Sequence, residues 1–120
     1  MTRDQMIDAL WMRSKLFVER EEFAKTFKGW EMAAVEVDGT PAFVTVTRGA
    51  EFHFESLDGS IPITRQMIRE FLKPIISAYG YAMTRTPKDD RRQQRFNEAF
   101  GFRATAVDTE YLTYCIRQVN

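Results

Sequence analysis

Residues 51–86 read EFHFESLDGSIPITRQMIREFLKPIISAYGYAMTRT, and the succession of patterns within them decides the fold. Glu51-Phe52-His53-Phe54-Glu55 alternates strictly, so Phe52 and Phe54 share one face of a strand and Glu51, His53 and Glu55 the other. Thr64 is placed to cap a helix whose apolar residues Ile68, Phe71, Leu72, Ile75, Ile76 and Tyr79 recur at spacings of three and four, with Gly80 as its stop. Pro74 removes a backbone donor inside that run and predicts a kink or an early end, at a cost of about 3 kcal/mol in an otherwise regular helix. Residues 81–86 read as the next strand, halted by Pro87. Strand, helix and strand in this order imply a crossover, with the two strands parallel or separated in one sheet.

On the amino-terminal side, Thr2 is an N-cap candidate, and Met6, Ile7, Leu10, Trp11, Phe17, Phe23 and Phe27 keep helical spacing through residue 28. One long or two shorter amphipathic helices follow, with Gly29 as their end. Residues 30–37 and 40–47 are β-prone runs joined by Asp38-Gly39, a dipeptide suited to a type I′ turn, and so predict a β-hairpin. On the carboxy-terminal side, residues 88–100 form a charged helix with Phe96, Ala99 and Phe100 as its expected inner face. Residues 102–107 and 111–117 then read as a closing pair of strands. The expectation is one α/β domain over residues 1–120, a central mixed sheet flanked by helices.

Composition narrows the function classes. The chain has 17 basic and 17 acidic side chains, one histidine and one cysteine. An even charge balance argues against general phosphate-backbone binding, which needs an excess of Lys and Arg on one face, so no nucleic acid partner is expected. Cys115 and His53 alone cannot build a structural zinc site, and one cysteine closes no disulfide, so no metal is expected. No run approaches the ~20 apolar residues of a membrane span, and the first five residues lack a signal-peptide layout. The expected location is cytoplasmic.

The most specific local feature is Asp90-Arg91-Arg92-Gln93-Gln94-Arg95-Phe96-Asn97-Glu98-Ala99-Phe100-Gly101-Phe102. Together with the element order it resembles the GNAT N-acetyltransferase superfamily, less one initial strand. Many members read Asn, Ala, an aromatic pair and Gly-Phe here; Phe96 and Gly101-Phe102 fit, while Asp90 stands at the Asn position and Gln93 at the Ala position. The resemblance implies an acetyl-CoA pyrophosphate held by backbone N–H groups of a Gly-rich segment before the central helix. This chain has Asp58-Gly59-Ser60-Ile61-Pro62-Ile63 there, with a proline that has no N–H, two bulky isoleucines and a glycine too early. Members commonly place a tyrosine four residues before Gly101 to protonate the leaving thiolate; here it is Asn97, an amide that cannot do so.

Two missing requirements point to a catalytically degenerate GNAT-like protein without cofactor. The pattern resembles the small GNAT-like proteins of tailed bacteriophages, some of them internal to the virion, which implies a virion-associated or host-interaction role in the host cytoplasm or virion, with a protein partner or a homo-oligomer. The alternative is a divergent acetyl-CoA-dependent N-acetyltransferase. In that case Thr64, Arg65 and Gln66 contact the pyrophosphate, and Glu51 or His53 acts as base.

Each candidate also has a plainer reading. Glu51, His53 and Glu55 are equally a solvated strand face, and Arg91, Arg92 and Arg95 a mixed helix surface rather than a phosphate site. Met6, Trp11 and Phe23 are accounted for by packing on a sheet as well as by partner binding. Ser56, His53 and Asp58 lack the Gly-x-Ser-x-Gly elbow of a hydrolase. Cys115, without a cationic neighbour in sequence, reads as core or as an inert thiol.

Overall fold

The computed structural model describes residues 1–14 and 18–119. Phe17, expected on the amino-terminal helical face, lies outside them. The elements are α1 (Arg3–Arg13), α2 (Arg20–Lys25), β1 (Glu31–Val37), β2 (Thr40–Arg48), β3 (Glu51–Ser56), α3 (Arg65–Tyr79), β4 (Ala82–Pro87), α4 (Arg91–Phe100), β5 (Arg103–Val107) and β6 (Tyr111–Ile116). The six strands form one mixed sheet in the order β1-β2-β3-β4-β6-β5. The crossover through α3 makes β3 and β4 parallel, while β1/β2, β4/β6 and β5/β6 are antiparallel. No strand precedes α1 among the described residues.

The chain gathers into two compact units, Met1–Arg48 with His53–Pro62 and Gly49–Phe52 with Ile63–Asn120. In the first, the β1/β2 register sets Met32 opposite Val46 and Ala34 opposite Val44, so these four side chains share a face. Met6 and Leu10 of α1 bury against Val44 and Val46, with Phe23, Phe27, Trp30 and Leu57 closing the edges. The hairpin is turned by Asp38 and Gly39, both at positive φ (52° and 79°), as the type I′ reading requires. Thr2 and Gln5 form a capping box at the start of α1: the Thr2 hydroxyl accepts from Gln5 N–H at 3.2 Å and the Gln5 side chain accepts from Thr2 N–H at 2.8 Å. The Arg3 guanidinium donates to the carbonyls of Phe27 and Trp30, the latter at 2.7 Å, tying α1 to the segment that leads into β1.

In the second unit, Ile68, Leu72 and Ile75 of α3 bury with Phe52, Ala82, Phe102, Tyr114 and Ile116, and Phe71 and Phe100 pack against them. The β4/β6 register sets Ala82 opposite Ile116, which places that pair on the face α3 covers. Thr64 caps α3 by accepting from Met67 N–H at 3.1 Å, and Gly80, left-handed at φ 82°, ends it while donating to Ile76 O at 2.7 Å.

Several expectations change. α3 runs through Pro74 to Tyr79 without the early end. Pro74 is exposed, so the Glu70 carbonyl it leaves without an intrahelical donor is on the solvent side. Tyr79, expected on the inner face, is the last residue of the helix and is 54% exposed. The inner face of α4 is also different: Asn97 is its buried residue, while Phe96 is 39% exposed and Ala99 is exposed. Polar contacts of Asn97 set that rotation.

Candidate functional site

β3 and β4 share a single parallel register pair, Glu51 with Met83, and Met83 N–H donates to Ala50 O at 2.9 Å. Glu51 is half-buried at that point of the second unit. His53, two residues on, belongs to the first unit. It is half-buried with its ring 5.3 Å from Trp30, whose indole in turn lies 4.2 Å beneath the Arg48 guanidinium. The alternation places Glu51, His53 and Glu55 on one face of β3, and of these Glu55 is the exposed one. For His53 the open solvated face is thereby replaced by packing against an aromatic ring.

The segment after β3 satisfies its own donors. Asp58 Oδ1 accepts from Ser60 N–H at 2.9 Å and from the Ser60 hydroxyl at 2.7 Å, and Ile61 N–H donates to Asp58 O at 3.1 Å. These bonds, the hydroxyl's first and the N–H second, hold the Asp58 carboxyl below its ordinary value, and the nearby Arg13 guanidinium adds to the effect. Pro62 has no N–H to offer. In the second unit Thr64, Arg65 and Gln66 come together at the exposed start of α3. Met67 N–H is taken by the Thr64 hydroxyl and Ile68 N–H by the Thr64 carbonyl, so Arg65 and Gln66 are the first-turn residues whose N–H groups have no intrahelical acceptor. The Gln66 side chain turns back along the helix, donating to Glu70 at 2.7 Å.

Asn97 stands where the resemblance implies a tyrosine, and its amide is occupied at both ends. Nδ2 donates to Thr86 Oγ1 at 2.9 Å, and Oδ1 accepts from Gln93 Nε2 at 3.0 Å. Its carbonyl accepts from Phe102 N–H at 2.9 Å, fixing the step from α4 into β5. Asp90 acts as the N-cap of α4, accepting from Gln93 N–H at 3.1 Å. An aspartate serves that purpose as well as an asparagine.

Elsewhere in the second unit Arg85 is engaged, pairing with Asp108 at 2.8 Å and lying over the Tyr111 ring at 4.7 Å. Tyr114 is pushed upward by burial, with the Glu98 carboxylate adding to the shift. Cys115 is half-buried with its sulfur 3.4 Å from Thr105 Oγ1. Among the described residues no group of three or more His, Cys, Asp or Glu side chains could hold a metal ion, and no helix is long and apolar enough to cross a membrane.

The first unit holds a feature that the sequence reading did not single out, a cavity of about 370 Å³ among Leu10, Arg13, Phe23, Phe27, Glu55 and Ser56. Phe23 and Phe27 are four apart in sequence and so share a side of α2 and its following turn, but nothing local joins them to Arg13 or Glu55. Ser56 lines this cavity, and Asp58 is bound to Ser60, so a nucleophile arrangement with His53 has no support in these contacts.

No protein-family model matches the chain, and no curated protein matches it in sequence. Solved structures do match in shape. The N-acetyltransferase PseH of Campylobacter jejuni superposes with a TM-score of 0.72 at 12% identity, over 98% of this chain and 92% of that one. The same enzyme in complex with acetyl coenzyme A gives 0.69 at 13% identity, over 98% and 93%. A GNAT-family protein from Desulfovibrio desulfuricans gives 0.69 at 15% identity, over 98% and 94%. The likeness is one of architecture over nearly the whole length, and it gives this chain the fold of the GNAT N-acetyltransferases.

Proposed function

We propose that this chain is a catalytically degenerate bearer of the GNAT fold, acting as one domain through contact with a protein partner or a second copy of itself, without acetyl-CoA, metal or nucleic acid. The observation that carries this reading is the segment after β3. A pyrophosphate cradle needs several backbone N–H groups left over for the ligand. Here Ser60 and Ile61 spend theirs on Asp58, and Pro62 has none. The Asn97 amide, buried and committed to Thr86, supports the same conclusion, because neither its chemistry nor its position supplies a proton to a leaving thiolate. The role we assign is that of the small GNAT-like proteins of tailed bacteriophages that the sequence resembles, virion-associated or directed at a host protein, in the host cytoplasm or the virion.

A second reading, a divergent acetyl-CoA-dependent N-acetyltransferase, is favoured by one observation: the first-turn N–H groups of Arg65 and Gln66 remain at a capped helix start. Thr64, Arg65 and Gln66 are then its binding residues, and Glu51 or His53 its base. Isothermal titration of the purified chain with acetyl-CoA separates the two, with Arg65→Ala and Glu51→Gln as controls. No heat at millimolar ligand is the expected result. Micromolar binding that Arg65→Ala weakens overturns the degenerate reading.

A further inference from the structure

The even charge balance of the whole chain conceals a division between its two units. The first carries seven basic and ten acidic side chains, the second ten basic and seven acidic. In the first unit the excess gathers on the β1/β2 hairpin. Residues 29–47 contain Glu31, Glu36 and Asp38 and no Lys or Arg, and these three acidic residues are exposed. β1 is also an edge of the sheet, and its alternation sets Glu31, the exposed Ala33 and the half-buried Val35 on the face away from Met32 and Ala34. In the second unit the excess gathers on α4. Arg91 and Arg95 are four apart, as are Arg92 and Phe96, and with Ala99 they form one exposed side of the helix. Of the acids in this segment, Asp89 precedes the helix, Asp90 caps it, and the Glu98 carboxylate lies near Tyr114. Among the described residues neither the three hairpin carboxylates nor the three α4 guanidiniums make an ion pair or a side-chain hydrogen bond.

Charge and apolar surface match one patch to the other. Phe96 is 39% exposed yet supported from below, its ring stacked on Phe100 at 6.3 Å, and Phe100 lies 5.8 Å from the buried Phe102. An aromatic ring braced against the core with arginines around it combines the residue types enriched at interface centres. Ala33 and Val35 offer such a ring apolar strand surface, with Glu31 and Glu36 on either side. Hairpin on hairpin would set carboxylates against carboxylates, and α4 on α4 arginines against arginines, so like surfaces repel and unlike ones attract. A chain of zero formal net charge has no overall repulsion between copies to overcome. We propose that the chain associates with a second copy of itself through unlike surfaces, the Arg91, Arg92, Arg95 and Phe96 side of α4 on one copy docking on the Glu31, Glu36 and Asp38 surface of the hairpin on the other. The proposal rests on the reading of the chain as one that acts by contact, and it names the surfaces of that contact.

The test is sedimentation equilibrium of the purified, nuclease-treated full chain across protein and salt concentration. The expected result is a mass above that of one chain that rises with concentration at low salt and falls toward one chain at about 1 M salt, where the screening length is about 3 Å. Two exposed double substitutions, Arg91→Glu with Arg95→Glu and Glu31→Lys with Glu36→Lys, are each expected to weaken association about tenfold or more while circular dichroism stays unchanged. Mixing the two variants is expected to restore a complex, because the unaltered hairpin of the first meets the unaltered α4 of the second. Phe96→Ser is expected to weaken association at unchanged charge. A chain that stays a monomer up to millimolar concentration at low salt overturns the proposal. So does association that survives both double substitutions, and so does a mixture no tighter than either variant alone, which would assign the two surfaces to other partners. Association seen only before nuclease treatment means a bridging polyanion and overturns it as well. Binding in the separate acetyl-CoA titration would overturn the degenerate reading and leave the sedimentation result standing, so the two failures are told apart.

Discussion

In the second unit, Asn97 is 2% exposed and every polar end of its side chain is answered by Thr86 or Gln93. In the first unit, Glu55 is exposed at the rim of a cavity walled by phenylalanines. Where the family resemblance implies an acid, this chain has a buried side-chain hydrogen bond, while open space with charge at its edge lies in the other unit. Polar groups locked into a core specify packing; polar groups at the mouth of an apolar void are available to a ligand. The contrast sets a lined cavity in the first unit against a fully satisfied polar side chain in the second.

The sharpest way to break that contrast is to remove core from each side. Leu72 is fully buried among Phe52, Ile75 and Tyr114, and Leu72→Ala is expected to cost about 2–5 kcal/mol in chemical denaturation. Leu10 already borders a void, so Leu10→Ala is expected at or below the low end of the same range; equal losses would mean the cavity is filled in solution. Asn97→Ala leaves the buried Thr86 hydroxyl without its partner and should cost about 1–3 kcal/mol. Asn97→Tyr, which restores the tyrosine that the family resemblance implies, is expected to yield no acetyl transfer from acetyl-CoA to a panel of amines. Turnover there would show that only the acid was missing. Thr64→Ala removes the α3 cap for about 1 kcal/mol, read as a lower melting temperature.

The smallest effect is a pH response shared by both units. Asp58 in the first and Asp108 in the second are held below their ordinary values, Asp108 by Tyr111 N–H first, then Glu110 N–H, with Arg85 adding to it. A carboxyl with a depressed folded value stabilises at pH above its unfolded value of about 4, and that stability is lost as pH falls through the folded value. Asp58→Asn should therefore lower the melting temperature at neutral pH and make less difference in acid. A variant whose deficit is constant from neutral pH into acid would contradict the role given to the Ser60 hydrogen bonds.

Much of the fold was legible because its signals are local. The caps at Thr2 and Thr64, the Asp38-Gly39 turn and the Gly80 stop each depend on a few neighbouring residues, and all four act as expected. The alternation at Glu51–Ser56 put Phe52 on the buried side without reference to any other segment. The candidate site was legible only as residue types. His53 was readable as a titratable side chain on a strand, but not as the neighbour of Trp30, which arrives from before the hairpin. The face of α4 was misread for a related reason. Apolar spacing turns Phe96 and Ala99 inward, whereas the hydrogen bond from Asn97 to Thr86 turns the helix the other way, and Thr86 is on another element.

By itself the sequence determined the order of most helices and strands, that a crossover through α3 joins two strands of one sheet, and that the segment before α3 contains a proline and bulky residues in place of glycines. Those are properties of short stretches, set by backbone sterics and by the period of apolar residues. Only the tertiary structure decided that Asp58 consumes its neighbours' N–H groups, that Asn97 is committed to Thr86, and that Arg13, Glu55, Phe23 and Phe27 line one cavity. Arg13 and Glu55 are 42 positions apart, and the distance between two such side chains is set by packing over the whole intervening chain.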